Sequence, residues 1–268
     1  MSRAARTLRA LPTLLRIGVA ETIAYRAEFL VWILTTTIPL VMLGLWSSVA
    51  SEEAFRGYGQ DDFVAYYLAT LIVRNLAGTW VAWQISEEIR LGSMAMRLLR
   101  PIHPFVAFAA SHVAAIPFRS LVVFPVAVVL LLSSGANALT REPLQLALIV
   151  PSLAIAWLIN FSILFALGTV SFWITKMMGI LNLYFGLFML LSGYLLPLPL
   201  LPSYIRGVAE WLPFRFMQSV PVELMTRAMS QREALLLVGG QLAWAAGTLA
   251  LALFVWDRGV KRFESVGG

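Results

Sequence analysis

Six long apolar runs, separated by short polar stretches, set what this chain can fold into. Residues 29–50, 63–83, 105–132, 144–173, 179–201 and 234–256 carry very few charges. A helix needs about 20 apolar residues to cross a hydrocarbon core about 30 Å thick, and each run is long enough. The chain is 60% hydrophobic and 13% charged, whereas soluble domains carry about 25% charged residues. That is too much apolar surface for a core surrounded by water. Inside a bilayer the backbone must satisfy its own hydrogen bonds, which a helix does within one segment. The expectation is an all-α integral membrane protein of six transmembrane helices, with no soluble domain of useful size.

Lys and Arg between the runs alternate in density. Arg3, Arg6, Arg9, Arg16 and Arg26 precede the first run. Arg90, Arg97 and Arg100 follow the second, Lys176 the fourth, and Arg258, Lys261 and Arg262 the sixth. The other connections hold only Arg56, Arg141, Arg206, Arg215, Arg227 and Arg232, and the first of them also carries Glu52, Glu53, Asp61 and Asp62. Short cytoplasmic loops collect Lys and Arg, so both termini are expected in the cytoplasm. The net charge of +6 is then an orientation signal, and no nucleic-acid partner is expected. Residues 1–28 lack the uninterrupted apolar core of a signal peptide. Leu8, Leu11, Leu15 and Val19 recur at helical spacing while Arg9 and Arg16 fall elsewhere on the wheel. That pattern predicts an amphipathic helix in the headgroup layer, the alternative being a plain cytoplasmic tail.

Two connections exceed a simple turn. On the cytoplasmic side, Ile85-Ser86-Glu87-Glu88-Ile89-Arg90 reads as a helix continuing out of the membrane. Gly92 and Ser93 interrupt it, Ser93 is an N-cap candidate for a short helix over 94–100, and Pro101 and Pro104 close that helix. Met94, Leu98 and Leu99 would present an apolar face flanked by Arg97 and Arg100. Such a face needs a protein partner or lipid to rest on. The other connection, 197–232, is external and broken by Pro197, Pro199, Pro202, Pro213 and Pro221. Segments 204–212 and 217–229 would be two short helices, with Trp211, Phe214 and Phe216 of the interfacial type. They form either a re-entrant helical hairpin dipping into the outer leaflet before the last span, or a cap on a water-filled vestibule.

Missing motifs narrow the function. No GxxxxGK[ST] loop is present and Lys176 and Lys261 are the only lysines, which excludes ATP hydrolysis by a phosphate-cradling loop. No Asp or Glu lies well inside a run, which counts against a carrier that takes up protons or sodium on an intramembrane carboxylate. Cysteine is absent, His103 and His112 are the only histidines, and no HExxH occurs. Neither a thiol nucleophile nor a metal site is expected. The chain is not expected to be an enzyme or to bind a cofactor, and any transport would draw its energy from another subunit.

Polar residues inside the runs are the candidate site. Arg74 lies about 18 Å into the second run at 1.5 Å per residue, near the midplane, where an arginine costs at least a few kcal/mol. Three compensations are open: backbone carbonyls with Asn75, a carboxylate of another subunit, or an anionic substrate headgroup. Arg119 and His112 fall in the inner half of the third run with Pro117. There Arg119 could snorkel or touch substrate. Asn160 and Asn182 are candidates for the path or for interhelical hydrogen bonds.

These features together resemble the type 2 ATP-binding cassette (ABC) transporter permeases, in particular a bacterial exporter branch. The resemblance covers essentially the whole chain. It runs through the basic N-terminal helix, Phe29-Leu30-Val31-Trp32 at the first span, the stretch from Glu88 through Arg97-Leu98-Leu99-Arg100 to Ile102, and the Pro-rich hairpin. It implies an interfacial helix over 1–28, a transmembrane domain over 29–256 and a tail over 257–268 in a bacterial inner membrane. It also implies a coupling helix at about 92–101 that seats in an ATPase through Glu88, Arg90, Met94, Arg97, Leu98, Leu99 and Arg100. The partners implied are ABC ATPase subunits that carry ATP and Mg, a second permease subunit, identical or paired, and membrane lipid. A membrane scaffold and an ion-coupled carrier are the competing readings.

Overall fold

The computed structural model describes residues 3–24, 37–174 and 176–263. They are overwhelmingly helical, and the only strand-like pairing among the described residues is an isolated bridge between Phe55 and Tyr58. The helices are α1 (Arg3–Ala24), α2 (Ile38–Val49), α3 (Gln60–Ala77), α4 (Val81–Arg90), α5 (Met94–Leu98), α6 (Pro104–Ala114) and α7 (Ile116–Leu132). They continue with α8 (Pro143–Thr169), α9 (Met177–Leu191), α10 (Ser203–Ala209), α11 (Pro213–Met217), α12 (Ser219–Thr226) and α13 (Gln231–Val260).

Three stretches are long and apolar enough to cross a membrane: Pro104–Leu132, Pro143–Phe172 and Gln231–Val260. Ile38–Val49 and Met177–Leu191 are apolar but shorter. Residues 29–36 of the first expected run lie outside the described residues. The run 63–83 is not one helix. It breaks between Ala77 and Val81, where Gly78 is extended (φ −67°, ψ 151°). Glycine is a poor helix former, and the groups freed by the break find side-chain partners described below. The run 179–201 is α-helical only to Leu191, turns at Gly193 and regains a single 3-10 turn at Leu198–Leu200.

Packing follows from which face of each helix is apolar or small. α13 lies along α8, α4 also packs on α8, and α3 lies between α2 and α7. α9 buries Met177, Leu181, Tyr184 and Phe188, a stripe at helical spacing, and exposes Met178, Leu183 and Leu190. An aromatic ladder runs through the core, with Phe161 stacked on Trp157 at 5.0 Å and Phe165 against Trp256 at 5.1 Å. α1 is helical as expected, but its contact face is rotated from the anticipated stripe. Gly18 is buried against Ser111 and Ala114 of α6, Leu11 and Leu15 are half-buried, and Val19 is exposed.

The Pro-rich connection holds three short helices rather than two. α12 is buried nearly throughout, against α3 and α8. Glutamine amides tie this connection to the bundle. Gln145 Nε2 on α8 donates to Arg227 O at 2.9 Å, Gln218 Nε2 to Thr70 O at 3.1 Å, and Gln241 Nε2 on α13 to Phe216 O at 2.8 Å.

Candidate functional site

The turn from α4 to α5 is built around one ion pair. Gly92, at φ 75°, reverses the chain in the left-handed region that glycine reaches without a Cβ penalty. α5 then folds back beside α4. Arg97 grips Glu88 with two hydrogen bonds, Nε to Oε2 at 2.6 Å and Nη2 to Oε1. The Arg97 guanidinium also lies 4.0 Å from the centroid of the Phe108 ring. Ser93 sits at the N-cap, yet its hydroxyl donates to Glu88 O at 3.4 Å and caps nothing.

The anticipated apolar face is therefore different. Met94 is fully buried in the core cluster that also holds Phe108, and cannot present a surface. Leu98 is half-buried against the same core. The outward face is Leu91, Met96 and Leu99, which is 79% exposed, with Arg100 beside them. Arg90 makes a 3.6 Å pair with Glu87, both well exposed. Replacing Arg97 with Ala should cost about 2 kcal/mol, the scale of a hydrogen bond to a charged group. Thermal unfolding in detergent measures it, and a Glu88→Gln/Arg97→Ala double variant should lose less than the two singles added. Strictly additive losses would show that the pair is not coupled.

The break in the second run carries the densest buried polar network. Ala77 O accepts from Asn160 Nδ2 of α8 at 2.8 Å, and Asn160 Oδ1 accepts from the Tyr184 hydroxyl of α9 at 3.0 Å. Gly78 O accepts from Arg119 Nη1 at 2.5 Å. Thr79 Oγ1 lies 3.0 Å from His112 Nδ1 and accepts from Val81 N at 3.4 Å. His112 Nε2 lies 2.9 Å from Gln84 Oε1. The ring of Trp80 packs tilted against His112, centroids 4.7 Å apart, and lies under the Arg119 guanidinium at 4.8 Å.

Arg119 does not snorkel. It is completely buried, held by a carbonyl that the break releases and by the indole face. Arg74 is half-buried, with its guanidinium 5.1 Å from the Phe188 centroid and 5.8 Å from that of Tyr194. Asn75 does not assist it: its Nδ2 donates to Leu71 O of its own helix at 2.9 Å, and its buried Oδ1 takes no hydrogen bond among the described residues. Asn160 is a buried link between helices, whereas Asn182 lies on the exposed face of α9 with no side-chain hydrogen bond among the described residues. The structure thus gathers Arg119 and Asn160 at one break, with Arg74 within electrostatic reach of Arg119, and leaves Asn182 apart.

A charged cleft borders the Pro-rich connection. A cavity of about 230 Å³ is lined by Tyr58, Asp62, Glu223 and Arg227, and an adjoining one of about 290 Å³ adds Arg206, Glu210 and Arg215. Glu223, nearly buried, takes Arg215 at 3.1 Å and Arg227 at 3.6 Å. Burial raises the Tyr58 phenol above its ordinary range, and Glu223 adds to this. The sequence reading missed His112 as a network member, the glutamines and this cleft. The signal available was Gln145 and Gln241 standing alone in apolar helices.

The fold defines a helical membrane protein whose polar groups converge on a broken helix joined to a short surface helix. Residues 30–267 match the model of the ABC-2 family transporter protein. The chain belongs to this family, the membrane permeases of ABC transporters, which generally act as non-enzymatic transport subunits alongside ABC ATPases. No curated protein matches the chain.

Proposed function

We infer that the chain is half of the translocation pathway of a bacterial ABC exporter. It has six spans, both termini are cytoplasmic, and the site of action is the inner membrane. The second half is another copy or a paired permease, and the exposed Gly179, Asn182 and Gly186 face of α9 suits close helix pairing. ATP and Mg bind on the partner ATPases, and no cofactor binds here. The observation that carries this reading, beside family membership, is the α4–α5 turn. A short helix clamped by Glu88 and Arg97 to the end of α4 moves with α4 as one piece, so a push on its outer face reaches the break at Gly78. Coupling of this kind requires the ATPase to hold the helix differently in its two states.

Leu99→Asp combined with Met96→Asp tests the docking. Both side chains point outward, so the variant should fold normally yet lose its ATPase on co-purification. Retention of the ATPase and of stimulated hydrolysis would refute the assignment. The Leu98 position is a poorer probe because that side chain also packs on the core.

A further inference from the structure

Arg74 stands three residues before the end of α3 on a floor of buried aromatic rings. Phe188, Tyr184 and Tyr194 are each less than a tenth exposed, and the guanidinium lies over the first and last of them. An aromatic face attracts a cation through its quadrupole but brings no negative charge. Among the described residues the ion pairs join Glu87, Glu88, Glu210, Glu223 and Glu233 to Arg90, Arg97, Arg206, Arg215 and Arg227. None of them involves Arg74. Arg119 lies close enough for the two guanidiniums to repel each other. Arg74 is therefore a cation outside these ion pairs in an apolar segment, where a charge is retained only for a purpose that offsets its cost.

The guanidinium hydrogen-bonds the Tyr194 hydroxyl and, with its face on rings, keeps its remaining N–H groups for other partners. That planar fork matches phosphate or carboxylate oxygens in pairs. At this depth the anion within reach is one carried on an apolar tail. We propose that Arg74, on its floor of Phe188, Tyr184 and Tyr194, binds the phosphate or carboxylate headgroup of an anionic amphiphile. As a binding site this stands alone. As the statement that the transported substrate is an anionic amphiphile, it rests on the permease reading.

The full chain in neutral detergent is titrated with phosphatidylglycerol, phosphatidylcholine and inorganic phosphate, and bound lipid is counted by native mass spectrometry. Phosphatidylglycerol should bind at least about tenfold more tightly than phosphatidylcholine, as a bidentate charged contact implies. Arg74→Gln should erase the preference, Arg74→Lys should keep part of it, and matched inorganic phosphate should not displace the lipid. No preference in the natural chain, or a preference that survives in folded Arg74→Gln, overturns the site. Displacement by inorganic phosphate shows a free-anion site and overturns the amphiphile. If Arg74→Gln fails to fold, Phe188→Leu decides, since it keeps the cation and removes part of the floor. An unchanged preference there overturns the arrangement. Failure of the permease reading would appear separately, as a natural chain that retains no ATPase while its lipid titration is unaltered.

Discussion

Gly193→Val should leave little folded protein. Gly193 adopts φ 84°, where a β-branched residue is a genuine outlier. A Cβ there would lie 2.2 Å from Ser219 Oγ and 2.6 Å from the Tyr66 hydroxyl. Neither neighbour is free to retreat. Tyr66 donates to Gly193 O at 2.6 Å, and Ser219 donates to Ser192 O at 2.8 Å. Left-handed strain of about 1–2 kcal/mol and overpacking of about 1–3 kcal/mol act together, so the loss is about 4 kcal/mol. At about 2–4 °C per kcal/mol for a chain of this order, the unfolding midpoint in detergent should fall by roughly 10 °C. A shift under about 3 °C would show that α12 can swing away from Tyr66 without cost. The same contacts make the connection after α9 an inserted element rather than a surface loop, because its turn is clamped between α3 and α12.

The parts of this fold that were readable in advance are those set by period and length. α8 and α13 begin and end within a few residues of the apolar runs, since bilayer thickness and helix rise leave little choice. The turn at Gly92 and the start of a short helix at Met94 were marked by local chemistry. What could not be read depends on neighbours distant in sequence. Met94 looked like a docking residue because spacing alone does not say which face of a five-residue helix meets the core. Arg119 looked free to snorkel because the carbonyl that holds it exists only if the second run breaks at Gly78. The break looked like continuous helix because isolated glycine, threonine and tryptophan are tolerated within a span. Its cause is the set of partners on α6, α7 and α8 that satisfy the freed groups. The aromatic floor under Arg74 could not be read either, since it is assembled from α9 and the turn after it.

Asn160→Leu should be the most damaging isosteric change in the bundle, lowering stability by about 3 kcal/mol. The side chain is buried and bridges two elements, donating to Ala77 O at 2.8 Å and accepting from Tyr184 at 3.0 Å. Leucine fills the space but leaves a carbonyl and a hydroxyl with no water to turn to, each costing about 1–3 kcal/mol. Tyr184→Phe, which removes one of the two orphans, should restore about 1 kcal/mol in the Asn160→Leu background. Thermal unfolding of the four proteins in one detergent supplies the cycle. Equal loss with and without the tyrosine hydroxyl would mean that Tyr184 has another acceptor. Met217 Sδ, 3.8 Å away, is the neighbour that could serve. The functional consequence follows from position. Asn160 fixes the α3 half of the broken run while the Glu88–Arg97 clamp fixes the α4 half to α5, so motion of α5 is transmitted only if the break bends without opening. In the proposed permease, Asn160→Leu should keep its ATPase and lose transport more steeply than hydrolysis, whereas Leu99→Asp should lose both.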